Sequence, residues 1–387
     1  MPGMTDRQRV QSWRKGLRGS ATGLGSSCPR PGLAGLRVLG VVTIMAFLGV
    51  ACSSSATTSA KGAPAESGKK YPVPSSGVCK PHYVGNKGEC TYQTPVPVTM
   101  SIGINPGSPA LPVLVAQQEG YFKEWGITAH VTDYANLGLI PEAVIGGSVD
   151  LGESSEPPLI QAAAKGIALV TPANLSYALQ GSKAVSVLMV MKSSGIKSVA
   201  GLAGPNNIIA AQSLGANLDI AVHDAFREAG VTGSRLPRFV TVATTAIVPE
   251  LVSGQVQAVE IGTPYIQQAL GLGAVSILDV LTVQKGLQAR VFLMGKRGYV
   301  LKNKVAMAQL RSALSEADGF IANNPAQAKV VLQHFTGLSA SIMSILVIPT
   351  FTAAPSASDL SAWVKVMKQT GYLANSVQID ARQLVAG

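Results

Sequence analysis

Residues 127–173 read ITAHVTDYANLGLIPEAVIGGSVDLGESSEPPLIQAAAKGIALVTPA, and the order of patterns within them decides the fold. Apolar strand patterns alternate with helical patterns, and glycines separate several of them. The stretch predicts strand, helix, strand, helix and strand over Ile127–Tyr134, Leu137–Ile145, Val149–Gly152, Pro157–Lys165 and Ile167–Ala173. Repeated alternation of this kind predicts parallel sheets covered by helices.

The same alternation extends in both directions from this stretch. Upstream, Val98–Ile104 predicts a strand and Pro112–Trp125 a helix. Downstream, strands alternate with helices over Ile208–Gln212, Leu218–Ala229, Phe239–Ala243, Val248–Ser253, Ala258–Ile261 and Tyr265–Leu270, and the chain is mostly helical after Val305. The span 98–387 contains about 290 residues, which is enough for two domains.

The N-terminus has the pattern of a secretory leader. Residues 1–37 carry seven Lys and Arg and one acid, and the uncharged apolar stretch Val38–Ala51 follows. Fourteen residues are too few to span a bilayer, so we predict a cleaved signal peptide over 1–51. The junction before Cys52 resembles the bacterial lipobox, which predicts lipidation of Cys52. The alternative is an ordinary signal with an incidental cysteine.

A flexible segment is predicted after the leader. Residues 52–97 begin with a Ser-, Ala- and Thr-rich run that has few apolar side chains to bury, which is typical of a tether. Cys79 and Cys90 lie in the same segment, and two nearby cysteines in an exported chain indicate a disulfide. His82 lies between them, but no fourth ligand has a recognisable spacing, so we expect no metal site.

The charge of the chain lies largely in the leader. The whole chain has 31 Lys and Arg, 20 Asp and Glu and a net charge of +11. Removing residues 1–51 leaves 24 basic and 19 acidic residues, a net charge of +5. Only 5% of residues are aromatic. The sequence therefore gives no support to nucleic-acid binding.

Four blocks of sequence occur in the order that one transport family shows. They are AQQEGYFKEWGI at Ala116–Ile127, EAVIGGSVDLG at Glu142–Gly152, GIKSVAGLAG at Gly195–Gly204 and LVSGQVQAVEIGTPY at Leu251–Tyr265. Over residues 98–335 the chain resembles the solute-binding proteins of nitrate, sulfonate, taurine and pyrimidine-precursor importers.

The resemblance implies an α/β type II periplasmic-binding-protein fold, in which two α/β lobes are joined by two crossover strands. One lobe would combine 98–187 with 291–387, and the other would be 188–290. The implied function is capture of a small polar or anionic solute for an ABC permease and its ATPase, without catalysis or a cofactor. The chain would be a monomer, anchored by lipid on the extracytoplasmic face of the cell membrane.

Candidate ligand-binding residues lie where predicted strands end, since the carboxyl ends of strands form the crevice in open α/β sheets. They are Asn105, Ser108, Ser154, Ser155, Gln212, Ser213, Gly215, Glu260, Thr263 and Tyr265. A structural role as turn, N-cap or core residue stays open for each. Asn174, Ser176 and Tyr177 follow a further strand and carry less weight.

The class of solute stays open at this point. Gln257 replaces the Asp that the family usually has, and Gly262 and Thr263 replace an aromatic residue and Glu. The candidate turns contain no Arg or Lys for a bidentate anion clamp. An anion held by backbone N–H groups, a neutral solute, or a cation held by Glu153, Glu156 or Glu260 are all compatible.

Two other classes of protein share single features with this sequence. An enzyme that makes the thiamine pyrimidine uses the same fold, but its cysteine-rich cluster is missing here. Ser194–Lys197 matches a Ser-x-x-Lys pattern without its partner motifs, so a serine hydrolase is not supported. A lipoprotein sensor or docking subunit with a degenerate cleft stays an alternative.

Overall fold

The computed structural model describes residues 70–72, 83–86, 89–92, 95–178, 186–279, 289–354 and 357–386. The predicted signal peptide over 1–51, the lipidation site Cys52 and the disulfide cysteine Cys79 lie outside the described residues.

Fourteen β-strands are described, and we number them in chain order. They are β1 (Lys70–Pro72), β2 (Tyr83–Asn86), β3 (Glu89–Tyr92), β4 (Val98–Ile104), β5 (Ile127–Asp133), β6 (Leu151–Ser155), β7 (Leu169–Ala178), β8 (Ser186–Met191), β9 (Ile208–Ala211), β10 (Arg238–Thr241), β11 (Ala258–Gly262), β12 (Ala274–Asp279), β13 (Ala289–Lys296) and β14 (Thr350–Phe351).

Twelve α-helices are described, together with short 3-10 turns. The helices are α1 (Leu111–Gln118), α2 (Tyr121–Glu124), α3 (Leu139–Gly146), α4 (Glu156–Ala164), α5 (Asn217–Glu228), α6 (Ile247–Ser253), α7 (Tyr265–Gly271), α8 (Arg297–Lys302), α9 (Lys304–Asn323), α10 (Pro325–Thr336), α11 (Ala340–Ser344) and α12 (Ser358–Gln369). The 3-10 turns are Ser108–Ala110, Lys192–Ser194, Val199–Leu202, Gly233–Arg235 and Ala381–Leu384. Of these helices, none combines the length and the apolar character needed to cross a bilayer.

Six strands form the sheet that we call the large sheet, in the order β14-β7-β13-β6-β4-β5. Strand β4 runs parallel to both β5 and β6, whereas β13 is antiparallel to β6 and β7. In β4 the side chains of Met100, Ile102 and Ile104 are fully buried, as expected for alternate residues of a strand. Helices cover both faces of the large sheet. Helices α1, α9 and α10 pack into the apolar cluster on one face, and α4 and α12 pack into the cluster on the other.

Five strands form the second sheet, the small sheet, in the order β10-β9-β11-β8-β12. Strands β9, β10 and β11 are parallel, and β8 is antiparallel to β11 and β12. Apolar clusters again lie on two faces, one with Ile247, Leu251 and Ile266 and one with Val222 and Phe226. Both sheets are therefore mixed, whereas the alternation of patterns had predicted parallel sheets.

A third, three-stranded sheet lies within the predicted tether. Strand β3 pairs antiparallel with β1 and with β2. Residues 83–92 read YVGNKGECTY, in which Tyr, Val and Thr favour strands and the Asn and Gly residues favour a turn. The prediction of a flexible tether over all of 52–97 is therefore wrong for the part that forms these strands.

Glycine ends the first helix earlier than predicted. The single helix expected over Pro112–Trp125 is divided into α1 and α2. Gly120 separates them with φ of 89°, in the left-handed region that glycine adopts without the steric cost of a Cβ.

Candidate functional site

A cavity of about 110 Å³ lies between the large and the small sheet, and its wall contains both polar and apolar residues. Its polar wall residues come from the ends of strands in both sheets, namely Asn105, Glu153, Ser176, Tyr177, Ser186, Gln212, Ser213, Asn217, Glu260 and Thr263. Pockets for drug-sized ligands usually measure about 300–1,000 Å³, so this cavity suits a small solute.

Five of the ten residues predicted as ligand-binding lie in the cavity wall. They are Asn105, Gln212, Ser213, Glu260 and Thr263. Asn105 directly follows β4, Gln212 follows β9 and Thr263 follows β11. The carboxyl ends of these strands meet at one edge, which explains why sequence reasoning found them.

The other five predicted residues do not line the cavity. Ser154 and Ser155 belong to β6 and pair with Phe292 and Val291 of β13, because β6 extends to residue 155 instead of ending at residue 152. The structure thus corrects the hydroxyl turn that we expected there. Tyr265 is buried in the core of the small sheet rather than at the cavity.

Ser108 and Gly215 lie close to the cavity without lining it. Ser108 is fully buried, and its backbone N–H donates to the carbonyl of Thr263 across the two sheets at 3.0 Å. Gly215 lines a second, more open groove of about 370 Å³ beside α3 and α4. Gln161 of α4 donates from Nε2 to the Gly215 carbonyl at 3.4 Å.

Hydrogen bonds at Thr244 connect the two sheets beside the cavity. The Thr244 hydroxyl donates to Asn105 Oδ1 at 3.0 Å, and the Thr244 N–H donates to the Ala135 carbonyl at 2.9 Å. Gln212 Nε2 donates to the Thr244 hydroxyl at 3.2 Å. Thr244 and Gln212 lie in the segment of the small sheet, and Asn105 and Ala135 in that of the large sheet. The two sheets are therefore held together across the cleft.

Two buried carboxyl groups face the cavity, one from each sheet. Glu153 in β6 is 3% exposed, and its Oε2 accepts the N–H of Asn105 at 3.0 Å. Burial raises the pKa of Glu153 to about 8. Glu260 in β11 is 1% exposed, and burial, with a smaller effect of Asp219, raises its pKa well above the ordinary range. Sequence reasoning had named both acids, but it had placed only Glu260 among the site residues.

A second polar cluster surrounds Asp219 in the first turn of α5. Its Oδ2 accepts the N–H of Gly215 at 2.6 Å and the Tyr372 hydroxyl at 3.0 Å. His223 lies one turn later, with Nε2 3.6 Å from Asp219 Oδ1, and its ring stacks on Phe239 at a centroid distance of 4.1 Å. Burial raises the pKa of Asp219 and lowers the pKa of His223.

The polar side chains of the cavity are suited to binding a small solute. They supply hydroxyls, amides and carboxyls that can hold a polar solute in a water-poor space. Within the described part of the chain, no three His, Cys, Asp or Glu side chains are grouped so that they could hold a metal ion.

Curated relatives align with parts of the chain. A putative aliphatic sulfonates-binding protein from Escherichia coli K12 is 30% identical over 204 residues, which is 52% of this chain. A putative thiamine biosynthesis protein from Haemophilus influenzae is 33% identical over 101 residues, which is 26% of this chain. The alignments span 60% and 30% of these relatives, respectively.

Solved structures share the fold. An alkanesulfonate-binding protein from Xanthomonas axonopodis pv. citri, bound to MOPS, superposes with a TM-score of 0.63 at 19% identity, covering 76% of this chain and 99% of that one. This likeness confirms the periplasmic-binding-protein fold expected from the sequence. A model of the NMT1-like family matches residues 93–335. The chain belongs to the NMT1-like family.

Proposed function

We propose that the chain is the solute-binding component of an ABC importer and captures a small polar solute between two lobes. One lobe would be 98–187 with 291–387, around the large sheet, and the other 188–290, around the small sheet. The observation that carries this proposal is the cavity whose wall combines polar residues from the ends of strands in both sheets. The names of the relatives from E. coli and X. axonopodis as sulfonate-binding proteins support a binding role.

The chain connects the two sheets twice, between β7 and β8 and between β12 and β13. In the proposed cycle, rotation of the two lobes opens the cleft, and the solute enters between Asn105 and Gln212. The hydrogen bonds of Thr244 form again on closure. The closed form then docks on a membrane permease, whose ATPase drives release. Hinge closure of this kind is a common response to ligand in two-lobed binding proteins.

The cellular setting belongs to the same proposal. A signal peptide over 1–51, lipidation of Cys52 and a Cys79–Cys90 disulfide would place the protein, as a monomer, on the extracytoplasmic face of the membrane. Mass spectrometry of the N-terminal peptide from membranes tests this setting. A diacylated Cys52 is expected, and an unmodified Cys52 or an intact leader would contradict it.

The binding role is tested with protein that has been unfolded and refolded to remove carried-over solute. Nitrate, sulfonates, taurine, bicarbonate, pyrimidines, amino acids and short peptides are screened by thermal shift, and X-ray scattering follows closure. A solute at 1,000 times its Kd should stabilise the protein by about 4 kcal/mol. The radius of gyration measured by X-ray scattering should decrease when the same solute is added.

Paired variants show whether the response comes from the cavity. Ser213→Trp introduces a large side chain at the cavity wall, whereas Leu214→Trp adds the same ring at an exposed neighbour that is outside that wall. S213W should abolish the response and L214W should keep it. A folded protein that shows no stabilisation and no compaction with any solute would instead support the lipoprotein with a degenerate cleft.

A further inference from the structure

Glu153 and Glu260 present buried carboxyl groups to one small cavity from opposite sheets. We propose that the captured solute carries a cationic group, an ammonium or a guanidinium, and that the buried carboxyl groups of Glu153 and Glu260 select for its positive charge. This inference rests on the proposed solute-binding function and names the class of solute.

The first support is an acceptor that lacks a donor. Glu260 Oε1 is buried and accepts no hydrogen bond from any residue that the structure describes. An unsatisfied buried acceptor destabilises the folded protein, and a charged one does so more strongly. A solute N–H group at this position would satisfy it.

The second support is the absence of a basic wall residue. None of the described residues that line the cavity is Lys or Arg. Arg290 lies over the ring of Tyr177, with its guanidinium carbon 5.3 Å from the ring centroid, but it does not contribute to the wall. A sulfonate or nitrate in this cavity would therefore face two carboxyl groups without a basic partner.

The third support concerns helix α5, whose first residues, Asn217 and Leu218, line the cavity. Free N–H groups at a helix N-terminus normally favour an anion. Here Asp219 lies in the first turn of α5, and its carboxyl accepts the Gly215 N–H. A carboxyl group of this chain therefore already accepts at this helix end, where an anionic solute would otherwise accept.

The proposal predicts how the affinity for the solute changes with pH. Burial raises the pKa of Glu153 to about 8, so this carboxyl is largely protonated in the empty cleft at neutral pH. A cation binds the ionised form and releases the proton, so its affinity rises with pH. An anion would require the protonated form, and its affinity would fall over the same interval.

The test is isothermal titration calorimetry at constant ionic strength with two matched probe sets. Guanidinium, urea and nitrate are planar and similar in size but differ in charge. Propylammonium, propanol and propanesulfonate share a tail and differ in the head group. Each is titrated at pH 7 and pH 9, in buffers of different ionisation enthalpy that report proton release.

We expect at least one cation to bind tenfold or more tightly than its neutral and anionic counterparts, a difference of about 1.4 kcal/mol. The preference should increase from pH 7 to pH 9, with proton release. Glu260→Gln should remove the preference. The control is Asp318→Asn, because Asp318 is also a buried carboxyl with a pKa raised to about 8 but lies outside the cavity wall. D318N should keep the preference.

Each other result overturns the inference in a recognisable way. If a neutral or anionic probe binds as tightly as the cation and compacts the protein, the class of solute is wrong but the binding function stands. If no probe binds and the broad solute screen is also flat, both proposals fail. Should E260Q not fold, the pH dependence of the unmodified protein still decides the sign of the bound charge.

Discussion

The hydroxyl of Tyr372 donates a 3.0 Å hydrogen bond to Asp219 Oδ2, and it joins residues 153 positions apart. Tyr372 packs with α4 and α12 beside the large sheet, whereas Asp219 lies in helix α5 beside the small sheet. The bond therefore links the two halves of the cleft outside the cavity wall.

Tyr372→Phe should weaken the closed conformation. Loss of a hydrogen bond to a buried carboxyl costs about 1–3 kcal/mol, so the open population and the Kd for a captured solute should rise fivefold or more. X-ray scattering and calorimetry measure these two quantities. The matched control is Tyr299→Phe, because the Tyr299 hydroxyl has no hydrogen-bond partner among the described residues. Equal effects of Y372F and Y299F would contradict the cross-cleft role.

Thr244→Val should destabilise the protein, because the fully buried Thr244 hydroxyl bridges Gln212 and Asn105. The substitution keeps the shape but removes the partner of the half-buried Gln212 amide and of the buried Asn105 Oδ1. We expect a loss of about 1–3 kcal/mol in the free energy of unfolding, measured by urea denaturation. Thr241→Val, at an exposed position of β10, should change it by less than about 0.5 kcal/mol. A T244V protein as stable as T241V would show that the bridge contributes nothing.

Gly152→Ala tests the packing of β6 against α3. A Cβ at position 152 would lie 2.8 Å from a methyl group of Val144 and still closer to a methyl group of Ile140. Such overpacking costs about 1–3 kcal/mol. Gly146 in α3 has no atom within 4 Å of the corresponding position, so Gly146→Ala should be neutral or stabilising by up to about 1 kcal/mol. Gly152→Ala should therefore melt at a lower temperature than Gly146→Ala. The reverse order would contradict the close packing of β6 against α3.

Glu153→Gln should change how stability depends on pH. The pKa of Glu153 rises from an ordinary 4.5 to about 8 on folding, so folding favours the protonated carboxyl. Its stabilising contribution is complete below pH 4.5 and is lost as the pH rises through about 8. The stability of E153Q relative to the unmodified protein should therefore increase by about 1–3 kcal/mol between pH 5 and pH 9.

Denaturation at both pH values measures this difference. Glu142→Gln, at an exposed position of α3, serves as the control and should leave the pH profile unchanged. Parallel profiles for E153Q and the unmodified protein would mean that Glu153 does not titrate as described.

The sequence pattern predicted the parts of the fold that are determined by residues close together in the chain. The strand expected over Val98–Ile104 is β4 with the same bounds, because its apolar residues alternate toward one core. The single helix predicted over Pro112–Trp125 was too long, because Gly120 adopts the left-handed conformation between α1 and α2. The predicted end of β6 was wrong. Glu153, Ser154 and Ser155 have low strand propensity by themselves, but their pairing with β13 extends the strand through them.

The candidate site likewise contains residues that the sequence predicted and residues that it did not. Asn105, Gln212 and Thr263 were found because each follows a strand whose end is marked in the sequence. Ser186 was missed, since it begins β8 and reaches the cavity only through the arrangement of the sheets. The Tyr372–Asp219 contact spans 153 positions, a separation that no local pattern encodes.

Strand β13 lies between β6 and β7 in the middle of the large sheet, although it follows β7 by more than a hundred residues. The small sheet, by contrast, is made from one continuous stretch, β8 to β12. A chain that folds from its N-terminal end can therefore assemble the small sheet once residue 279 is free, while β6 and β7 still lack the strand that joins them. Because pairings of long sequence separation form slowly, assembly of the large sheet should set the overall folding rate. Substitutions in β13 should then slow folding more than equally destabilising ones in β9.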